Sequence, residues 1–422
     1  MLGLEPITWL AIVGALALGA IFAMVGQLRE SLALRLEIEP EDAGKLLAAV
    51  NLSLIPAIFV AGILVDTWGI KHVLCLGAVL TAVSFVAMAL SRSYSAYLGS
   101  ILMTGAGLAC FNVSVCVLMP YAFFPNAQSA SVNLGFVFVG LGALLAPRLY
   151  APLERAIQYR RALTLTALAF LLPAFFAALV AVPAAAPAPM LDIVYVIENP
   201  LLWVAALVFL LYSALEGMLG ISATQYLQEQ RFSKAKAEAV LTGVWIAFLL
   251  SRLLAAYLQH QQIALSTDSD PWLILILAVL AAVALGNLVG AHDPFPAAFG
   301  VIAVGFLLGP VLPTLIGFLF KNYSFPGTSY GTVFACGALR EFALRSLASH
   351  GTKIVFDRVD RRSTITGPLC GWACRTRISP CFSFVLVFAG VFAAWGLLRV
   401  PRCSAVSCLL ILFQQEIFDE PD

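Results

Sequence analysis

Glu216 is the residue whose type and position in this sequence most strongly predict chemistry. It lies inside the apolar stretch FLLYSALEGMLG, residues 209–220. A carboxylate at the centre of a bilayer-length helix costs about 2.5–3.5 kcal/mol by insertion scales, and such residues usually have a function. A carboxylate that faces a cavity can exchange a proton, pair with a cation or bond a hydroxyl. We therefore predict that Glu216 faces a cavity; the alternative is a structural carboxylate bonded to a neighbouring helix.

Four further side chains within apolar runs could act together with Glu216 on a neutral, hydroxyl-rich solute. Asn112 and Asn133 carry amides that can bond hydroxyls, and Tyr212 carries a hydroxyl of its own. Trp245 offers an aromatic face that can stack on an apolar ring face. We predict that these four residues and Glu216 contact a substrate. Interhelix hydrogen bonds for the two asparagines and core packing for Trp245 are the alternatives.

The composition requires that these residues be held by membrane-spanning helices. The 422 residues are 61% hydrophobic and 11% charged, with a mean hydropathy of +0.96. Soluble domains are about 45–50% apolar and about 25% charged, so the chain is predicted to be an integral membrane protein. At about 20 residues a span, it accommodates roughly a dozen helices. The net charge of +1 indicates no nucleic-acid partner.

The apolar runs predict twelve segments with a break in the middle. They fall at about 7–28, 45–65, 73–91, 96–119, 130–152, 163–185, 200–222, 239–258, 272–290 and 297–320, with a shorter run from about 329 and a last one at 382–399. The break predicts an N-terminal six-helix bundle at 1–185, an inter-bundle linker at 186–199, a C-terminal helix bundle at 200–400 and a tail at 401–422. Two pseudo-symmetric bundles of this kind are typical of transporters built from repeats.

Membrane enzymes need groups that this sequence does not bring together. A nucleophile–base pair, an acidic metal-binding motif or clustered histidines would indicate catalysis. The four histidines lie near segment ends and none is paired at i, i+4. We therefore predict no enzymatic activity, no cofactor and no metal site; a non-transporting sensor or scaffold stays open.

The stretch GILVDTWGIKH, residues 62–72, carries a resemblance to a known family. Its Gly62, Asp66, Gly69 and Lys71 match the loop between helices 2 and 3 of the major facilitator superfamily. Thr67 stands where that family usually has arginine or lysine, so the match is partial. We expect this motif to act in conformational change, with Asp66 capping a helix end and Gly69 permitting a short turn; an ordinary loop aspartate is the alternative.

Later segments resemble the fucose/glucose/galactose permease branch of the same family. LYSALEGMLGISATQYL resembles its seventh helix through Tyr212, Glu216 and Gly220, and VWIAFLLSRLLAAYL resembles its eighth through Trp245 and Arg252. The resemblance covers about residues 7–335. We expect Arg252, near the end of its segment, to extend to the interface or to pair with another group there rather than to bind substrate.

The resemblance implies an all-α major facilitator fold with about 12 transmembrane helices and an atypical eleventh segment. It also implies a secondary transporter that works by alternating access. We expect a small neutral solute, a monosaccharide or polyol, with proton coupling through Glu216 alone because the first six segments carry no acid at membrane depth. Efflux of lipophilic or cationic compounds is the alternative. The expected partners are the solute, protons and the lipid bilayer; we expect a monomer in the plasma (inner) membrane.

Two features of the sequence leave alternatives open. Between residues 340 and 377 there are eight lysines or arginines, which a lipid-facing helix would not carry. We favour a locally shifted reading frame over an inserted loop at 340–380. The basic residues also crowd the loops that the family topology places outside, whereas the positive-inside rule places such loops in the cytoplasm. We adopt the family topology.

Overall fold

The structure is a computed structural model that describes residues 5–183, 190–261, 270–289 and 293–339. Within these ranges all regular structure is helical, with no strand. The helices are α1 (Pro6–Gln27), α2 (Arg29–Leu36), α3 (Pro40–Ala48), α4 (Val50–Trp68), α5 (Ile70–Leu90), α6 (Tyr94–Ala122), α7 (Gln128–Ile157), α8 (Tyr159–Ala169), α9 (Leu172–Leu179), α10 (Met190–Glu198), α11 (Pro200–Glu229), α12 (Lys234–His260), α13 (Asp270–Val289), α14 (Pro294–Leu308), α15 (Val311–Asn322) and α16 (Pro326–Ala338).

Several of these helices begin where the sequence provides a start signal. α1, α3, α14 and α16 each carry a proline in the first turn, where its fixed φ suits the helix and its missing N–H is not needed. α6 begins after Ser93, whose hydroxyl accepts from the backbone N–H of Ala96 at 3.3 Å. Local sequence signals therefore set where these helices begin, and hydropathy determines which segments can span a membrane.

Ten helical segments of the described residues are long and apolar enough to cross a membrane. They coincide with the first ten predicted runs; the tenth, Pro294–Asn322, comprises α14 and α15. The expected all-α membrane fold class is confirmed. The eleventh run begins with α16, whereas the atypical stretch 340–380, the last run at 382–399 and the tail at 401–422 lie outside the described residues. Within the linker predicted at 186–199, α10 is helical, and the domain boundaries stay a prediction.

The described residues form two compact units, of which the first comprises those within Met1–Leu210, Leu249–Ala264 and Leu312–Ala343. In this unit α1 packs against α7, α5 against α6, and α4 against both α6 and α16. Because consecutive spans alternate in direction, the α4–α5 turn and the α6–α7 connection share one end, here named the Gly69 end. The α5–α6 and α7–α8 connections share the other, here named the Gln158 end.

The second unit comprises the described residues within Leu211–Phe248 and Leu265–Val311. In it α13 packs against α14. The Tyr226 hydroxyl of α11 donates to the Leu288 carbonyl of α13 at 2.9 Å, and Gly305 of α14 lies against Val244 of α12. Its helices are therefore packed by apolar contacts, with a hydrogen bond from a tyrosine hydroxyl.

The turn between α4 and α5 depends on Gly69. This residue has φ 92° and ψ 155°, a region that side chains other than glycine enter at a cost of about 1–3 kcal/mol. Gly69→Ala should therefore clearly lower the thermal unfolding midpoint of the purified protein. Gly99→Ala in α6 is the matched control, because Gly99 is exposed and nothing lies within 4 Å of its added Cβ. Equal midpoints for the two variants would contradict the role of the turn.

Candidate functional site

Asp66, near the end of α4, caps the first turn of α16. Its side chain is 6% exposed, and its carboxylate accepts from the backbone N–H of Gly327 at 2.9 Å and of Thr328 at 2.6 Å. α16 has no side-chain cap of its own at Phe325. The first N–H groups of a helix lack intrahelical acceptors, and the helix dipole favours an anion there. Asp66 therefore supplies from α4 the cap that α16 lacks.

Glycines let α4 and α16 approach closely enough for this bond. A Cβ added to Gly62 would lie 3.0 Å from the Gly327 carbonyl carbon and closer still to its oxygen. A Cβ on Gly331 would lie 2.6 Å from the Ile58 carbonyl oxygen. Small residues at such crossings replace side-chain packing by direct backbone contact. Gly62 thus permits the close crossing of α4 and α16, and Asp66, one turn later, accepts the hydrogen bonds from α16.

Lys71 completes the motif at the other side of the turn. Its ammonium donates to the carbonyls of Ala178 and Val180, each at 3.3 Å, where α9 ends. Cations at a helix C-terminus satisfy its last carbonyls and complement the dipole. The motif predicted from the sequence therefore contacts two helix ends, with the acid at an N-terminus and the base at a C-terminus.

Asn112 lies in a buried cluster that joins α6 to α16. The Tyr330 hydroxyl donates to Asn112 Oδ1 at 3.0 Å. The Cys116 thiol lies 3.5 Å from the same oxygen and 3.4 Å from the Tyr330 hydroxyl. Asn112 is 1% exposed, and its Nδ2 is buried with no hydrogen-bond partner in the described part of the chain.

Asn133 lies in a second cluster, which joins α7 to α12 and α15. Its Nδ2 donates to Gln259 Oε1 at 2.9 Å and to the Thr314 hydroxyl at 3.1 Å. Gln259 Nε2 also donates to the Thr314 hydroxyl at 3.1 Å. Asn133 is fully buried, and its Oδ1 has no partner among the residues the structure describes. Both predicted asparagines therefore make interhelix bonds, and their contact with a substrate stays a prediction.

These three contacts lie toward the Gly69 end of the first unit. Asp66, Asn112 and Asn133 belong to α4, α6 and α7 in the first half of the sequence, and their partners belong to α12, α15 and α16 in the second half. Phe124 and His260 stack at the same end, with ring centroids 4.1 Å apart. We call this set of contacts the Gly69-end closure, because it binds the two halves of the sequence together there.

The other three predicted substrate residues belong to the second unit. Tyr212 is fully buried, and Glu216, one turn later on α11, is partly exposed. Trp245 of α12 lies 3.6 Å from the position of an added Cβ on Gly220 and packs edge-on against Phe248, with ring centroids 5.6 Å apart. α11 and α12 thus present an acid and an indole within one unit. Within the described residues no group of three metal-binding side chains occurs.

Arg252 does not extend to an interface, and that part of the expectation is wrong. The residue is 6% exposed rather than extended to an interface. Its guanidinium carbon lies 5.2 Å from the centroid of the Phe136 ring, and Nη1 donates to the Phe136 carbonyl at 3.4 Å. A cation–π contact of this kind stabilises a guanidinium that is buried away from water.

Sequence reasoning also missed the partners of the two asparagines. Gln259, Thr314 and Tyr330 are polar residues of ordinary type, and α12 and α16 carry other polar residues of the same kind, such as Ser251 and Thr332. Only the arrangement of the spans could have indicated them. It brings the end of α12, the second half of the span Pro294–Asn322 and the start of α16 toward the Gly69 end. No motif or spacing within any one segment distinguishes them.

Comparison with known proteins agrees with this architecture. A model of the Major Facilitator Superfamily matches residues 7–340. The E. coli fucose:proton symporter is 16% identical, with a TM-score of 0.68 over 92% of this chain and 97% of its own. The human organic anion transporter MFSD10 is 18% identical, with a TM-score of 0.64 over 92% and 97%.

A third solved structure is a bacterial homologue of the iron transporter ferroportin in an outward-facing state. It is 13% identical, with a TM-score of 0.72 over 92% of this chain and 99% of its own. At such identities these likenesses show the fold alone. No curated protein matches the chain in sequence.

Proposed function

The chain belongs to the major facilitator superfamily, and from this premise we propose that it is a secondary transporter of a small neutral solute, a monosaccharide or polyol. Members of this family are multi-pass membrane transporters rather than enzymes. We propose further that transport proceeds by alternating access, is coupled to protons through Glu216 and takes place in the plasma (inner) membrane.

The solute class rests on the chemistry of the polar residues. Asn112 Nδ2 is a buried donor without a partner and Asn133 Oδ1 a buried acceptor without one, among the described residues. Buried polar groups are usually satisfied, and exceptions need an explanation. Hydroxyl groups both donate and accept, so a polyol or sugar matches both atoms. The fold of the fucose:proton symporter agrees with this class but does not select it.

The Gly69-end closure supports the alternating-access part of the proposal. Transporters of this kind open one end of a central path while the other is closed. The closure consists of hydrogen bonds and a close glycine crossing, and it contains no disulfide among the described residues. A cycle would have to break these bonds at one stage and remake them at another.

Glu216→Gln tests the coupling. If Glu216 carries the proton, the variant should lose pH-driven uptake into proteoliposomes, by at least about tenfold as is common for intramembrane acids in proton relays. Exchange of labelled solute without a pH gradient should persist. Glu229→Gln, at the exposed end of the same helix, is the matched control. Unchanged pH-driven uptake in Glu216→Gln would leave the residue structural.

A second candidate substrate class, organic anions, is favoured by the burial of Arg252. A charged solute needs compensating charge within the protein, and Arg252 is a buried cation in the C-terminal third of α12. Thermal stabilisation of the purified protein by neutral monosaccharides, organic anions or lipophilic cations separates the classes. Stabilisation by anions that disappears in Arg252→Gln would replace the neutral-solute proposal. Stabilisation by lipophilic cations alone, lost in Glu216→Gln, would favour efflux instead.

A further inference from the structure

Five exposed arginines lie at the Gln158 end of the first unit. They belong to the α5–α6 connection, to the second half of α7 and to the first turn of α8: Arg92, Arg148, Arg155, Arg160 and Arg161. Across the described residues, no ion pair joins any of these five to a carboxylate. We call this set the arginine surface; neither the family motif nor the proposed transport uses it.

Contacts beneath the arginine surface bring its parts together. Arg35 donates to the carbonyls of Ala89 and Ser91 at 3.0 and 3.1 Å, and its guanidinium carbon lies 4.9 Å from the centroid of the Tyr159 ring. The hydroxyls of Tyr159 and Tyr97 are 2.7 Å apart. The start of α8 is thus fixed against the α5–α6 connection, so Arg92 and Arg160 flank one anchored region.

The first turn of α8 is electrostatically unusual. It carries Arg160 and Arg161, no acidic residue, and no side-chain cap at Gln158. The N-terminus of a helix is already the positive end of its dipole, so two cations there are unfavourable without an anion. Exposed N–H groups and arginines together match phosphate oxygens.

The carboxylates at the Gln158 end either have a hydrogen-bond or ion-pair partner or belong to the α2–α3 segment. Glu154 accepts from the Ser31 hydroxyl at 2.7 Å. Glu41 and Asp42 of α3 bind Lys45 at 3.2 and 3.0 Å. The remaining acids, Glu30, Glu37 and Glu39, belong to the α2–α3 segment. The acids at this end therefore lie mostly on the α2–α3 segment, together with the basic residues Arg29, Arg35 and Lys45. α7 and α8 carry four of the five arginines and the single acid Glu154.

The position of the arginine surface relative to the candidate spans indicates which ligand it binds. α7 ends one candidate span, Gln128–Ile157, and α8 begins the next, Tyr159–Leu179. Arg155, Arg160 and Arg161 therefore stand at the boundary where headgroups lie, and arginine N–H groups bind phosphate oxygens in pairs. We propose that the arginine surface binds the phosphate headgroups of anionic phospholipids.

The test compares lipids on the purified full-length protein. Thermal unfolding is followed while phosphatidylglycerol or phosphatidylcholine is titrated into the detergent solution. Phosphatidylglycerol should stabilise the wild type more strongly. In R155Q/R160Q/R161Q the apparent affinity for phosphatidylglycerol should fall by about a hundredfold, because each basic residue near an anionic surface contributes about fivefold.

Two controls keep the outcome decisive. R155K/R160K/R161K keeps the charges and should keep much of the preference, and R92Q/R148Q tests the rest of the surface if the triple glutamine variant does not fold. Inorganic phosphate at the same concentration should leave the midpoint unchanged; stabilisation by phosphate alone would show a free-anion site. Equal effects of the two lipids, or a preference retained in both glutamine variants, would overturn the proposal.

Discussion

Asp66→Ala is expected to reduce transport at least tenfold and to open the Gly69 end. The substitution leaves the backbone N–H groups of Gly327 and Thr328 without their acceptor. Hydrogen bonds to a charged group contribute about 1.5–3 kcal/mol each, so the loss of two bonds should cost the closure at least about 3 kcal/mol. A difference of that size changes the ratio of closed to open molecules by about 150-fold.

Hydrogen exchange measures this effect at the two amides themselves. In the wild type the Gly327 and Thr328 amides should be protected, and in Asp66→Ala they should exchange much faster, with uptake into proteoliposomes falling in parallel. Asp42→Asn is the matched control, because its carboxylate binds exposed Lys45 and surface pairs contribute about 0–1 kcal/mol. Unchanged protection in Asp66→Ala would show that the cap does not hold α16.

Asn133→Leu is expected to weaken the same closure by about 1–3 kcal/mol. The variant removes the bonds from Asn133 to Gln259 and Thr314, and interhelix side-chain bonds in membrane proteins contribute about 0.6 kcal/mol on average and about 1.7 at most. Leaving Gln259 and Thr314 without this donor adds to the loss. We therefore expect a smaller effect than at Asp66, seen as a lower unfolding midpoint and slower transport.

A double-mutant cycle with Thr314→Val isolates the contact. If the amide and the hydroxyl are bonded, the two losses should be non-additive by more than the roughly 0.5 kcal/mol scatter expected of independent sites. Thr314→Ser keeps the hydroxyl and should resemble the wild type. Additive losses would mean that Asn133 stabilises α7 alone.

The spans could be predicted from the sequence because a bilayer imposes about 20 apolar residues on each helix. The motif around Gly69 was also visible, since an acid, a turn glycine and a base follow one another within a few residues. Its target was not. Gly327 lies 261 residues from Asp66, and nothing in α16 except a proline start indicates a helix that needs an external cap.

Residues inside apolar helices were harder to interpret than the motif. The apolar run that ends at 258 predicts Arg252 near an interface, whereas α12 continues to His260 and the side chain packs on Phe136. The asparagines were recognisable as polar residues at depth, but their partners depend on which helices meet. Sequence periodicity does not indicate which helices pack against each other, because the central turns of these helices are largely apolar on every face. Glu216 as the coupling residue stays a prediction.

The thiol of Cys116 can report the opening of the Gly69 end through its rate of labelling. It is fully buried among the residues of the closure, so a maleimide can reach it only while that end is parted. Cys110 lies on the same helix and is also buried, but it takes no part in the closure contacts. The ratio of labelling at the two cysteines, located by mass spectrometry, therefore separates the opening of this end from unravelling of α6. Opening could thus be timed in the native chain, without any engineered reporter.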